Sequence, residues 1–191
     1  MDITSLPAHL LAWQFLRRNP KYRSNWKKHQ KKPRAVRRMH GFPVYQQTSS
    51  DLAAERWGLL AFAPPETAAN DAPPFWSIGP TLDAEPIPDS DTPLLPLLRQ
   101  SKVCVSGLRL LDNSTVLFIQ RKRASIQVRL REKLLSGDDW GLSLKLPVEL
   151  KLPVLLNSAQ VLWNIVREEP LKNLLPISRR TSLNCSLPLT A

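Results

Sequence analysis

Residues 103–130 read VCVSGLRLLDNSTVLFIQRKRASIQVRL, and their pattern sets the fold class. Three β-rich runs, Val103 to Leu111, Thr115 to Gln120 and Ser125 to Leu130, are separated by Asp112-Asn113-Ser114 and by Arg121-Lys122-Arg123. Ile126, Val128 and Leu130 alternate with Gln127, Arg129 and Arg131, which predicts a strand with one core face and one wet, basic face. A fourth run, Leu142 to Leu146, comes after the turn-rich Ser136-Gly137-Asp138-Asp139. The expectation is a small antiparallel sheet, with Cys104 as a small buried group on its first strand. After Pro153, the spacing of Leu155, Ala159, Leu162, Trp163 and Val166 predicts a helix from about Leu155 to Arg167, which Pro170 bars from extending. Leu171 to Ala191 has no clear period.

Upstream, the segment from Pro64 to Pro96 holds nine of the 18 prolines and six acids, so it is read as a linker or a strap over the surface. Within it, Phe75-Trp76 is too apolar to be merely solvated and is expected to plug a groove, on this chain or on a neighbour. Asp51 to Leu60 reads as a short helix capped by Asp51. At the start of the chain, Ser5 caps a helix through Leu6, Leu10, Trp13 and Leu16. Asn19-Pro20 then opens a second helix, with proline where its missing N–H costs nothing. Tyr22, Trp26 and His29 share one face of it, lysines and arginines cover the rest, and Pro33 ends it before a basic extended tail at Arg34, Arg37 and Arg38.

Charge divides the chain as sharply as pattern does. Residues 1–40 carry +10, residues 41–98 carry −7 with Arg56 as their one base, and residues 99–191 carry +8. The expected organisation is therefore a basic helical arm (1–40), a short helix plus acidic strap (41–98), a sheet with its helix (99–170) and an irregular tail (171–191). The class is α+β, and 42% apolar against 23% charged residues is the balance of a chain with a real core.

Two cysteines 81 positions apart give neither a zinc spacing nor a disulfide scaffold, and a reducing compartment is the simpler reading. No run approaches the roughly eighteen apolar residues that span a bilayer. His9, His29 and His40 stand without carboxylates around them, and no phosphate loop, nucleophile elbow or zinc-protease motif occurs, so no metal, cofactor, small-molecule substrate or catalytic activity is expected.

Binding has the positive case. Each Lys or Arg that neutralises a phosphate releases a counterion, and eleven bases lie within residues 1–40. The expected phosphate contacts are Arg17, Arg18, Lys21, Arg23, Lys27, Lys28, Lys31, Lys32, Arg34, Arg37 and Arg38, with a second cluster at Arg121, Lys122, Arg123, Arg129 and Arg131. That cluster reads equally well as an ordinary charged sheet edge. The aromatics Trp13, Phe15, Tyr22 and Trp26 read as the seam of a helical hairpin, or, for Tyr22 and Trp26, as platforms for stacking single-stranded bases. Duplex DNA is the favoured partner. The other readings are a protein-interaction module acting through Phe75, Trp76 and the sheet, and an RNA or single-strand binder.

The segment AWQFLRRNPKYRSNW, Ala12 to Trp26, resembles the W-x-F-L-R-R-N-P-x-Y opening of the bacterial transcriptional-regulator-like domain found on conjugative and other mobile elements. Trp57-Gly58, Phe62-Ala63-Pro64 and Phe75-Trp76 are similar in order and spacing to the later segments of that family. Val103 to about Val166, with Ser106-Gly107-Leu108-Arg109, resembles the β-rich beginning of the RovC-like type VI secretion transcription factor domain. The resemblance implies a bacterial, cytoplasmic, DNA-binding regulator that forms a homo-oligomer or works with a partner. Leu171 to Ala191 does not match that family's helical DNA-reading segment; if those reader helices are missing, the chain is a truncated or split member.

Overall fold

The computed structural model describes residues 8–29, 36–67, 74–79, 81–90, 94–98, 103–122, 124–131, 140–145 and 152–166. The α+β class holds. Helices α1 (Ala8–Leu16) and α2 (Pro20–His29) precede strands β1 (Val36–Met39) and β2 (Phe42–Gln46) and a 3-10 helix (Ser49–Trp57). Next along the chain are strand β3 (Thr81–Ile87), helix α3 (Leu94–Leu98), strands β4 (Val103–Arg109), β5 (Thr115–Arg121), β6 (Ala124–Leu130) and β7 (Gly141–Lys145), and helix α4 (Leu152–Val166).

The sheet is wider than the pattern of residues 103–146 predicts, and it is mixed. Seven strands run in the order β1-β2-β4-β5-β6-β3-β7. The β4-β5-β6 meander forms the expected antiparallel centre, with Arg109 opposite Thr115 and Arg121 opposite Ala124. Outside it, β2 pairs parallel to β4 and β3 pairs parallel to β6. Two segments therefore depart from expectation. Arg37 and Arg38, expected in an extended tail, lie on β1 in a hairpin with β2 that turns at His40-Gly41, where both residues have positive φ. Residues 81–87, expected in the strap, form a strand between β6 and β7, with Leu82 and Ala84 fully buried. Pro86 is tolerated there because pairing with β6 ends at Ala84, so its missing N–H interrupts no ladder on that side.

Each face of the sheet has its own cover. Leu117 and Ile119 of β5, Ile126, Val128 and Leu130 of β6, and Leu82 and Ala84 of β3 pack against α3 and α4, including Leu162, Ile165 and Val166. Trp163, expected among those contacts, is 48% exposed, because it lies one position off the buried row. The opposite face carries Leu108, Val116 and Phe118, and these pack against Leu60, Ala61 and Phe75. That face is therefore covered where a wet surface was expected; the continuous apolar run of β5 marks a strand buried on both sides. Cys104 is exposed rather than buried. Gly107 gives β2 room beside β4: a Cβ there would meet Val44 Cγ2 at 3.1 Å, and Val44 would have to give by a few tenths of an ångström.

Two buried glutamines tie the covering segment to the sheet by satisfying its backbone. Gln127 accepts from Trp76 N–H at 2.7 Å and donates to Trp76 C=O at 2.9 Å. Gln47 donates to Leu60 C=O at 2.6 Å and accepts from Leu111 N–H at 3.0 Å. In this way segments from the acidic zone 41–98 and the basic zone 99–191 share one packed body. Phe75 and Trp76 fill a groove on this chain: Phe75 is buried, and Trp76 bridges to Leu59. Ser5, residues 68–73, residues 136–139 and the tail 171–191 lie outside the described residues.

Candidate nucleic-acid interface

Helix α2 starts as its sequence dictates. Asn19 Oδ1 accepts from Lys21 N–H at 2.9 Å, and Pro20 takes the first helical position. Its inward face is aromatic. Tyr22 is fully buried, with its hydroxyl donating to Ala63 C=O at 2.6 Å and accepting from Ala63 N–H at 3.1 Å. Trp13 of α1 meets the Tyr22 ring edge-on at 5.8 Å, Trp57 does the same at 5.6 Å, and His29 stacks on Phe62 at 5.6 Å. Tyr22 therefore offers no face to a nucleobase, and Trp26 is half-buried against the same cluster, which takes Tyr22 out of the stacking argument for a single-strand binder. The hairpin-seam reading of these rings is the one the packing supports; Phe15 is the exception, at 69% exposed.

A second anchor comes from the 3-10 helix. Asp51, expected as its cap, instead sits at its third position and reaches back to Thr48, accepting from Thr48 N–H and Thr48 Oγ1, both at 2.9 Å. The other carboxylate oxygen accepts from Phe62 N–H at 3.0 Å. Gly58 ends that helix in the left-handed region at φ 72°, close under Ile78. One α1 residue locks the helical layer to the sheet: His9 Nε2 lies 2.6 Å from Ser125 Oγ, and its ring meets Phe118 edge-on at 5.9 Å. Burial lowers the pKa of His9.

The outward face of α2 carries the exposed bases Lys21, Arg23, Lys27 and Lys28. Lysine in the last turn suits the negative end of the helix dipole. Arg23 pairs with Glu66 at 3.2 Å, both side chains about half exposed. Arg17 donates to Thr67 C=O at 3.2 Å and Arg18 to Gln14 C=O at 2.9 Å, bonds that orient the guanidinium without neutralising it. Arg37 and Arg38 are exposed on the edge strand β1. Lys31, Lys32, Arg34 and Arg123 lie outside the described residues.

The second expected cluster is not brought together. Arg121 points to the α4 face, where it donates to Ile165 C=O at 3.2 Å, while Arg129 points to the other face. They also sit at opposite ends of the strands, since Arg121 is opposite Ala124 and Arg129 is opposite Val116. Arg129 is ion-paired with Asp112 at 2.6 Å, and Arg131 with Asp83 at 3.1 Å. The Ser114 hydroxyl and the Arg129 guanidinium hold the Asp112 carboxyl below its usual range. Lys122, next to Arg121 in the chain, is exposed at the hairpin tip with φ 54°.

Reading the sequence alone missed Arg56. The structure sets it beside α2, lining a shallow groove of about 420 Å³ with Pro20, Lys21, Ser24, Asn25 and Lys28. The signal was the i, i+3, i+4, i+7 row of positions 21, 24, 25 and 28, together with a single base in an acidic zone. Among the described residues no group of His, Cys, Asp and Glu is arranged to hold a metal ion, and no helix is long and apolar enough to cross a membrane.

The architecture is that of a mixed sheet with an aromatic-cored helical layer on one face. Residues 2–60, the stretch that builds most of that layer, match the proteobacterial transcriptional regulator-like domain. That stretch holds α1, α2, the β1-β2 hairpin and the 3-10 helix, so it is this part of the chain that is similar to that regulator-like domain. No curated protein sequence matches the chain.

Proposed function

We propose that this chain is a DNA-binding transcriptional regulator of the bacterial cytoplasm, a binding protein rather than an enzyme, whose helix α2 meets the phosphate backbone of duplex DNA. The observation that carries this reading is the division of α2 itself. One face is fastened by Tyr22 into the aromatic core, and the other presents Lys21, Lys27 and Lys28 with no acid paired to them among the described residues. A helix held this firmly gives its charges a fixed geometry, and the counterions they release supply salt-dependent affinity. The match of residues 2–60 supports a regulatory role. The RovC-like resemblance and the link to mobile elements extend the reading, with a homo-oligomer or a partner regulator supplying choice of sequence.

The test is a titration of labelled duplex and single-stranded probes over a series of salt concentrations. Duplex should bind more tightly than single strand, and affinity should fall steeply with salt. Equal binding of both probes, or none at low salt, would sink the proposal. A second reading, a protein-interaction module, is favoured by one observation: Val154 and Leu156 of α4 are about half exposed. It no longer rests on Phe75, which the chain buries in its own core.

A further inference from the structure

Asn25 is out of place on the buried face of α2. Its neighbours on that face, Tyr22, Trp26 and His29, pack against rings or apolar side chains, yet Asn25 is an amide that is only 7% exposed. Its Nδ2 is buried and has no hydrogen-bond partner among the described residues. Buried donors are nearly always paired, so an orphan one asks for an acceptor. Asn25 lines the groove between α2 and the end of the 3-10 helix, and the charged groups that line it with Asn25 are Lys21, Lys28 and Arg56. Lys21 and Lys28 flank Asn25 one turn away on either side, and no carboxylate is among the lining groups. Arg56 comes from an otherwise acidic stretch of the chain, and its guanidinium carbon lies 5.7 Å from the Trp57 ring centroid.

We infer that this groove is a phosphate seat. Asn25 Nδ2 donates to a phosphate oxygen at its floor, the Ser24 hydroxyl stands at its wall, and Lys21, Lys28 and Arg56 supply the opposing charge. A rotation of the amide, or a shift of the flexible side chains around it, brings Nδ2 to the anion. The inference deepens the DNA-binding reading and rests on it for the source of the phosphate, a backbone phosphodiester. The chemistry of the seat is the same for a free phosphate ion. A phosphodiester takes part without any covalent step; the seat only positions it, fixing where the backbone crosses α2 without reading sequence.

The 191-residue chain is titrated with duplex DNA over a salt series, and separately with inorganic phosphate while the Asn25 side-chain amide is followed by nitrogen-15 NMR. Arg56→Ala changes an exposed residue and is expected to weaken duplex binding roughly three- to ten-fold and lower the salt slope by about one contact. Asn25→Leu removes the orphan donor at similar volume, so the melting temperature should hold or rise while affinity falls; a purely structural asparagine would lose stability and leave affinity alone. Phosphate should move the Asn25 amide signals, and chloride at equal ionic strength should not. Duplex binding with unchanged affinity and slope in Arg56→Ala, together with an unmoved amide, overturns the seat and leaves the DNA reading standing. No duplex binding by the wild type, with an amide that phosphate still moves, overturns the DNA reading and keeps the seat as a site for free phosphate.

Discussion

The arginines in and just after β6 and the lysines of α2 look alike in the sequence and differ in the fold. Arg129 and Arg131 are each paired with a carboxylate that tertiary structure brings from 17 and 48 residues away, Asp112 and Asp83. Lys21, Lys27 and Lys28 have no such partner among the described residues. The reason lies in what each element packs against. The strand's outer face looks across a sheet on which β3 carries Asp83 and Glu85, and Lys145 of β7 is paired with that same Glu85. Helix α2 instead packs on aromatic and small residues, Trp13, Ala54, Phe62 and Ala63, and the acid beside it, Glu66, pairs with Arg23 rather than with these lysines. A basic run thus measures charge present, whereas the neighbours decide how much of it a partner can meet.

The hardest way to break this contrast is to remove what holds α2. Trp13→Ala empties the centre of the aromatic cluster and should cost about 3–5 kcal/mol, read by urea unfolding. Duplex affinity should fall with it, because the helix loses its seat. A loss below about 1 kcal/mol would mean that the helical layer is not built around Trp13.

Charge changes sharpen the comparison directly. Lys27→Glu with Lys28→Glu should weaken duplex binding at least ten-fold near physiological salt, while Arg131→Ala should change it less than two-fold, because Arg131 is already matched by Asp83. Equal effects from the two sites, measured by fluorescence anisotropy, would show that ion pairing does not sort these bases.

The smallest expected effect is one of pH, at the joint between the two regions. His9 is half-buried with a lowered pKa, so the unfolded chain binds its proton more readily than the folded one. Its contribution is full above the unfolded histidine's value of 6.5 and is lost as pH falls below it. Melting temperatures should drop modestly on acidification from neutral pH, and His9→Gln should flatten that part of the profile. A profile unchanged by His9→Gln would remove His9 as the titrating joint.

Much of this molecule was legible in local pattern. The β4-β5-β6 meander came from alternation and turn residues, and Asn19-Pro20 marked the start of α2 to the residue. Such features depend on neighbours in the chain, so a window of a few residues contains their cause. The strand at residues 81–87 was not legible. Its alternation of Leu82 and Ala84 with Asp83 and Glu85 was masked by prolines and acids, and it becomes a strand by pairing with residues 46 positions further on in β6 and 54 to 62 further on in β7.

The candidate site shows the same boundary. The amino-acid sequence by itself determined that charge is concentrated before residue 40, that aromatic rings are threaded through it, and that a sheet with a helix lies downstream. Only the tertiary structure decided that Tyr22 is sealed away, that the strand arginines are matched by acids, and that Arg56 and an orphan Asn25 amide share a groove with Lys21 and Lys28. Composition and spacing fix which charges exist, because those are properties of residues. Availability depends on the contacts of folded neighbours, many of them dozens of positions apart, and no local reading of the chain contains them.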